Sequence, residues 1–188
     1  MKTAPEKYGG GPIIVTEYDP AWPAMFEQER VAVKAALGDL VGVIEHMGST
    51  AIPGMAAKPI IDLLVGARSL AEANDRATDP LRKLGYSYIP EYQSWLPGEM
   101  FFRKGYPGPW THHVHLMEPS NPRWERWILF RDYLRNNLEA ASAYSNLKRS
   151  LAAKFGDDIA AYRDAKHTFV EEITTKARAA SRHRVGDT

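Results

Sequence analysis

Asp62 stands inside an otherwise apolar run, residues 59–65 (PIIDLLV). A carboxylate there is costly to bury unless it holds a cation or accepts hydrogen bonds. Thirteen residues before it comes Ser49, in the turn Gly48-Ser49-Thr50 that follows another apolar run, 41–47. Gly48 lets the backbone turn tightly, and Ser49 and Thr50 offer hydroxyls and backbone N–H groups to an anion. The pair of features predicts phosphate and metal chemistry side by side. A second constellation is Trp110-Thr111-His112-His113-Val114-His115. On a strand, His113 and His115 project from one face and His112 from the other, so the first two can reach one cation. With Asp62 on a neighbouring strand they form a two-His, one-carboxylate set, which suits zinc, manganese or iron better than magnesium. The expected cofactor is a divalent metal (magnesium, manganese or zinc) on Asp62, His113 and His115, with Asp62 and His115 as the catalytic candidates. A neutral imidazole near pH 7 can alternatively act as a general base. The competing readings are that Asp62 caps or salt-bridges within a sheet edge and that the His-x-His pair is structural.

Around this centre the sequence supplies cations. Lys58 precedes the Asp62 strand, where it can steer a phosphate or simply be a solvated strand end. Arg103, Arg131, Lys148 and Lys166 can form a cationic wall if helices pack over the open sheet face, with Tyr144 and Tyr162 flanking it. Tyr144-x-x-x-Lys148 recurs as Tyr162-x-x-x-Lys166, and one helical turn brings each Tyr beside its Lys. The expected phosphate ligands are therefore Gly48, Ser49, Thr50, Lys58, Arg103, Arg131, Lys148 and Lys166. Glu45 and His46 lie on opposite faces of the strand before the turn, and alternation alone does not choose which of them lines the cleft. The arrangement matches the shape used by nucleotidyltransferases, in which a Gly-Ser turn holds a triphosphate and strand carboxylates hold magnesium. Those enzymes carry two carboxylates one residue apart, and here the second position is Leu64.

These residues need a scaffold. The chain has 188 residues, 44% hydrophobic and 25% charged, enough for one domain. Its formal charge of +1 gives no global field for nucleic acid or an acidic membrane, so any anion site is local. Without cysteine there is no disulfide, thiolate nucleophile or Cys-ligated zinc. The segment 1–12 carries no apolar stretch of signal-peptide length, no run is long enough to span a bilayer, and a cytoplasmic location is expected. The expected partner is a phosphorylated small molecule, with no nucleic acid and no membrane.

The expected organisation is a flexible arm at 1–12, one domain at 13–181 and a frayed end at 182–188. An amphipathic helix runs to Gly38; strands follow at 41–47, 59–65, 86–90, 99–104 and 112–118, with one helix over 69–84 ending at Gly85. From Asn121 the pattern turns helical in three segments, with breaks marked by Pro122, Gly156 and Asp157 or Asp158. The fold class is α/β (α+β), a mixed sheet of about five strands with a helical C-terminal third. The tryptophans, notably Trp124 and Trp127, read as packing residues.

EYDPAWPAMFEQE, IEHMGSTAIPGMAAKPIIDLLV, HHVHLM, FRDYLR and the two Tyr-x-x-x-Lys helices resemble the GrpB family over nearly the whole chain from Ile13. The resemblance implies a nucleotidyltransferase-like fold with helices packed on a mixed sheet. It implicates Gly48, Ser49, Lys58, Asp62, His113, His115, Arg131, Lys148 and Lys166, and makes the missing carboxylate at Leu64 a family trait. Members occur alone and fused to the enzyme that phosphorylates dephospho-coenzyme A, which points to nucleotide-linked metabolism. Three functions stay open: transfer or hydrolysis at phosphate, non-catalytic binding of a nucleotide or coenzyme, and metal-dependent hydrolysis of a non-nucleotide substrate.

Overall fold

Strand alternation sorts this chain into two sheet faces with different jobs. The computed structural model describes residues 12–94, 96–105 and 109–186. Five strands, β1 (Val41–Met47), β2 (Ile61–Ala67), β3 (Tyr86–Tyr88), β4 (Met100–Lys104) and β5 (His112–Met117), form one mixed sheet in the order β1-β2-β5-β4-β3. Among the described residues only β2 and β5 are parallel neighbours. The other pairs are antiparallel. Asp62 therefore lies on an interior strand rather than at an edge.

One face carries the main core. Ile61, Leu63 and Val65 of β2 join Val114 and Leu116 of β5 and Met100 and Phe102 of β4 against Trp22, Val33 and Leu37 of α1 (Trp22–Leu37). Removing such side chains from water is the dominant favourable term in folding. Ala73 of α2 (Leu70–Arg76) and Leu81 of α3 (Thr78–Lys83) complete this layer. The single helix expected over 69–84 is thus two. Pro80 explains the break, because a proline deep in a helix removes a hydrogen bond and clashes one turn back, whereas in the first turn of a new helix it costs nothing.

The opposite face presents Asp62 and Leu64 of β2, His113 and His115 of β5, and Phe101 and Arg103 of β4, which the register aligns. It is covered by α4 (Pro122–Arg135), α5 (Leu138–Phe155), α6 (Ile159–Ala165) and α7 (His167–Gly186). Ile52 and Met55, from the loop after β1, pack with Leu134, Ala141, Tyr144 and Ile173 in a second cluster. The third helical segment, expected to be continuous, breaks at Lys166, whose N–H donates to Arg163 three residues back at 3.2 Å. Ile13 is buried beside Leu151 and Tyr162, and its N–H donates to Gly156. Residues 1–11 of the expected arm lie outside the described residues. Helix α7 continues through Arg182 to Gly186, and the last two residues of the 182–188 segment again lie outside them. No helix among the described residues is long and apolar enough to cross a membrane.

Candidate metal and phosphate site

Strand β1 ends at Met47, whose partner across the ladder is Asp62, so the turn that leaves β1 passes directly over the carboxylate. Gly48 has φ 73° and ψ −172°, a backbone region that is essentially glycine's alone. A Cβ at this position would sit 2.2 Å from Asp62 Oδ2. The glycine is thus required twice, by its torsions and by the close approach. Ser49–Ala51 form a single 3-10 turn. The Thr50 hydroxyl donates to Ile60 O and lies 3.1 Å from His46 Nε2. That hydroxyl holds the turn, and Thr50 also lines the cavity above it.

His46 points into the main core and stacks on Phe26 at 4.5 Å. Burial pushes its imidazole down to about 4. Glu45 is in register with Leu64 and so faces the site's side of the sheet, where it accepts from Arg131 Nη1 at 2.8 Å. Arg131 also donates to His46 O and Asp132. Its expected place in a cationic wall is corrected: it clamps α4 onto β1. Arg103, likewise expected there, donates to Tyr92 Oη at 2.6 Å and lies over the Tyr92, Phe101 and Trp110 rings, beside the site rather than in it.

Across β2 and β5, His113 Nδ1–H donates to Asp62 Oδ1 at 3.0 Å, and His115 Nε2 lies 3.9 Å from the same oxygen. One ligand atom from each of Asp62, His113 and His115 lies within 4.8 Å of the others. His115 Nδ1–H donates to Glu99 Oε1 at 2.6 Å, and the Glu99 side chain has no solvent exposure. Trp127 meets the His115 ring edge-on at 5.1 Å. Burial would raise the Asp62 pKa, but the hydrogen bonds and charges of His113 and His115 outweigh it and hold the carboxyl well below its ordinary range. Burial pushes His113 down to about 4 despite Asp62. The same burial acts on His115, but Glu99 and Asp62 together push it up to about 9. The two imidazoles sit in one apolar wall and differ because only His115 has a second carboxylate.

Above Asp62 and His113 opens a cavity of about 170 Å³. At roughly 10–15 Å³ per water centre, it holds far more than a single bridging water. It is lined by Gly48, Ser49, Thr50, Ile60, Asp62 and His113 and by Lys58, Lys148, Lys166 and Tyr162. Lys148 Nζ donates to Ala56 O and lies 4.7 Å from the Tyr144 ring centre; Ser145 Oγ accepts from Ala56 N–H, so α5 is fixed to the loop. Lys166 Nζ sits 4.1 Å from the Tyr162 ring centre. Burial first and the other ammonium second push Lys148 down to about 7. Burial, then Lys58, does the same to Lys166. Burial also lowers Lys58, against the pull of Asp62.

The GrpB protein family model matches residues 12–176. The chain belongs to the GrpB family. A UPF0157 protein of Pseudomonas aeruginosa is 42% identical over 176 residues, covering 91% of this chain and 70% of that one. UPF0157 protein YqkA of Bacillus subtilis is 38% identical over 86% of this chain, which spans only 46% of that relative's length. The crystal structure of conserved protein GrpB from Enterococcus faecalis superposes with a TM-score of 0.80 at 40% identity, covering 87% of this chain and 96% of that one. A more distant relative, 30% identical over 88% of this chain and 46% of its own, is named dephospho-CoA kinase in Mycolicibacterium paratuberculosis.

In this GrpB chain the residue that sequence reasoning missed is Glu99. It opens the expected strand 99–104, but only the pairing of Phe101 with His115 shows that a carboxylate two residues before Phe101 lands behind the His115 ring. The one available signal was alternation, which puts Glu99, Phe101 and Arg103 on a common face.

Proposed function

We propose that this protein binds a phosphorylated small molecule, of nucleotide or coenzyme type, in the cavity above Asp62, and acts on its phosphate with a divalent metal held by Asp62, His113 and His115. The observation that carries this reading is the trio of lysines. Lys58, Lys148 and Lys166 converge on one small cavity, and among the described residues none of them forms an ion pair with a carboxylate. Desolvated ammonium groups that repel one another are unfavourable in isolation, and a polyanion between them reverses the sign of that term.

The Gly48-Ser49 turn would receive the phosphate through backbone N–H groups and the Ser49 hydroxyl. Lys58 and Lys166 would neutralise its oxygens, and Lys148 would keep α5 closed over the loop while contributing charge. A bound divalent ion supplies Lewis-acid polarisation of a phosphate oxygen. The relative named dephospho-CoA kinase supports a nucleotide or coenzyme as the ligand class. A second reading, a binding module without turnover, is favoured by Leu64, which leaves this strand with one carboxylate where two-metal enzymes need two.

Thermal denaturation with phosphate, pyrophosphate, ATP and coenzyme A, with and without metal, separates these readings. At one hundred times Kd, binding contributes about 2.7 kcal/mol, which raises Tm by roughly 5–10 °C for a domain of this size. The shift should vanish in Lys58→Ala and Lys166→Ala. Product formation supports the enzyme, and a shift without product supports the module. No shift with any phosphorylated compound at millimolar concentration contradicts the proposal.

A further inference from the structure

The metal that a nucleotidyltransferase-like fold implies is magnesium, which demands an octahedron of oxygens and keeps several waters. The donors on this sheet face do not meet that demand: they are one carboxylate and two imidazoles. Imidazole suits zinc and its first-row neighbours, and catalytic zinc sites combine two His and one carboxylate with an open fourth position. Deepening the reading proposed above, we infer that Asp62, His113 and His115 form a zinc-class transition-metal site whose third ligand, His115, is set by the buried Glu99 carboxylate, with the open position facing the lysine-lined cavity.

Two features carry this. The first is spacing. The separations of 3.0 Å and 3.9 Å from Asp62 Oδ1 to the two imidazoles bracket the roughly 3.4 Å between ligands of a tetrahedral ion with bonds of about 2.1 Å. Small side-chain adjustments close the set. The second is Glu99. Metal-bound His commonly gives its other ring N–H to a carboxylate, which fixes the tautomer and raises ligand basicity. Glu99 Oε1 takes the Nδ1–H of His115 at 2.6 Å, leaving Nε2 turned toward Asp62. The other Glu99 oxygen, Oε2, lies 3.7 Å from Arg123 Nε, which helps hold the carboxylate in place.

Glu99 is a positioning residue: it touches neither metal nor ligand. Its removal should weaken the site without dismantling it, as such outer partners are worth about 10–100-fold in metal affinity.

The test is isothermal titration of zinc, manganese and magnesium into the metal-free protein without phosphorylated ligand, alongside the visible spectrum of the cobalt(II) form. Zinc is expected to bind one to one and at least 100-fold tighter than magnesium, and cobalt to give the intense visible bands of a four-coordinate site. Asp62→Ala and His113→Ala should abolish both. Glu99→Ala should lose about 10–100-fold in zinc affinity, with Glu99→Asp recovering part of it, while circular dichroism confirms folding. Magnesium binding as tightly as zinc, zinc binding unchanged in Asp62→Ala and His113→Ala, or Glu99→Ala leaving zinc affinity intact would each overturn the assignment. Because no phosphate is present, failure here leaves the lysine cavity standing. Failure of phosphorylated compounds to stabilise the protein would likewise leave the metal site standing.

Discussion

Gly48→Ala isolates the contact on which the site is built. The residue sits at φ 73° and ψ −172°, where a side chain costs about 1–3 kcal/mol. The new methyl would also lie 2.2 Å from Asp62 Oδ2, so the carboxylate must retreat by more than 1 Å to reach ordinary contact. That retreat stretches its 3.0 Å hydrogen bond with His113, a charged interaction worth about 1.5–3 kcal/mol. Alanine restricts the unfolded chain and returns about 0.4–1 kcal/mol. The net expectation is a loss of about 3 kcal/mol, or a urea midpoint lower by roughly 1–1.5 M at unchanged slope. A double-mutant cycle separates the two causes. In an Asp62→Ala background the carboxylate oxygen is gone, and Gly48→Ala should cost only the backbone term of about 1–2 kcal/mol. Equal costs in both backgrounds would refute the close approach as the reason for glycine, and a cost under about 0.5 kcal/mol would refute the torsional argument as well.

Further outcomes follow from the same geometry. Arg131→Ala removes a buried guanidinium shared by Glu45, Asp132 and His46 O and should destabilise by about 2–3 kcal/mol in urea denaturation, with little change in zinc affinity. Lys166→Met keeps the apolar stem over Tyr162 but deletes a desolvated charge. It should stabilise the ligand-free protein by about 1–2 kcal/mol at pH 6 while weakening pyrophosphate binding at least tenfold. Lys148 and Lys166 have pKa values near 7 in the folded protein, below those of the unfolded chain. Between about pH 7 and 10 the unfolded state therefore binds more protons, and stability should rise with pH by up to about 1.4 kcal/mol per unit per lysine. Chemical denaturation at pH 6, 7.5 and 9 checks this, with the slope reduced in Lys166→Met. Anion affinity runs the other way: above pH 7 the empty site loses its protons, so pyrophosphate should bind more weakly at pH 9 than at pH 6.5.

The strands of the sheet were legible in the sequence because an apolar run such as 59–65 or the alternation of HHVHLM can be read without knowing its neighbours. Order and register were not. The pairing of Asp62 with His113 across parallel strands and the placing of Glu99 behind His115 depend on how strands from distant parts of the chain align. The helix boundaries that escaped were set locally but weakly: Pro80 stands three residues into a new helix rather than ending an old one, and Lys166 gives no breaker signal at all. Among the cations, Lys58, Lys148 and Lys166 share the cavity, while Arg131 is taken by Glu45 and Arg103 by Tyr92. Residue type alone cannot separate a binding arginine from a clamping one, since both need the same charge and the same fork of donors.

A crystal structure of the protein with zinc and pyrophosphate, collected at the zinc absorption edge, would test metal and phosphate together. One anomalous peak is expected about 2.0–2.2 Å from donor atoms of Asp62, His113 and His115, with Glu99 still on the far nitrogen of His115, and the diphosphate lying between the Gly48-Ser49 turn and Lys58 and Lys166. Zinc elsewhere on the surface, or pyrophosphate bound away from those lysines, would contradict it.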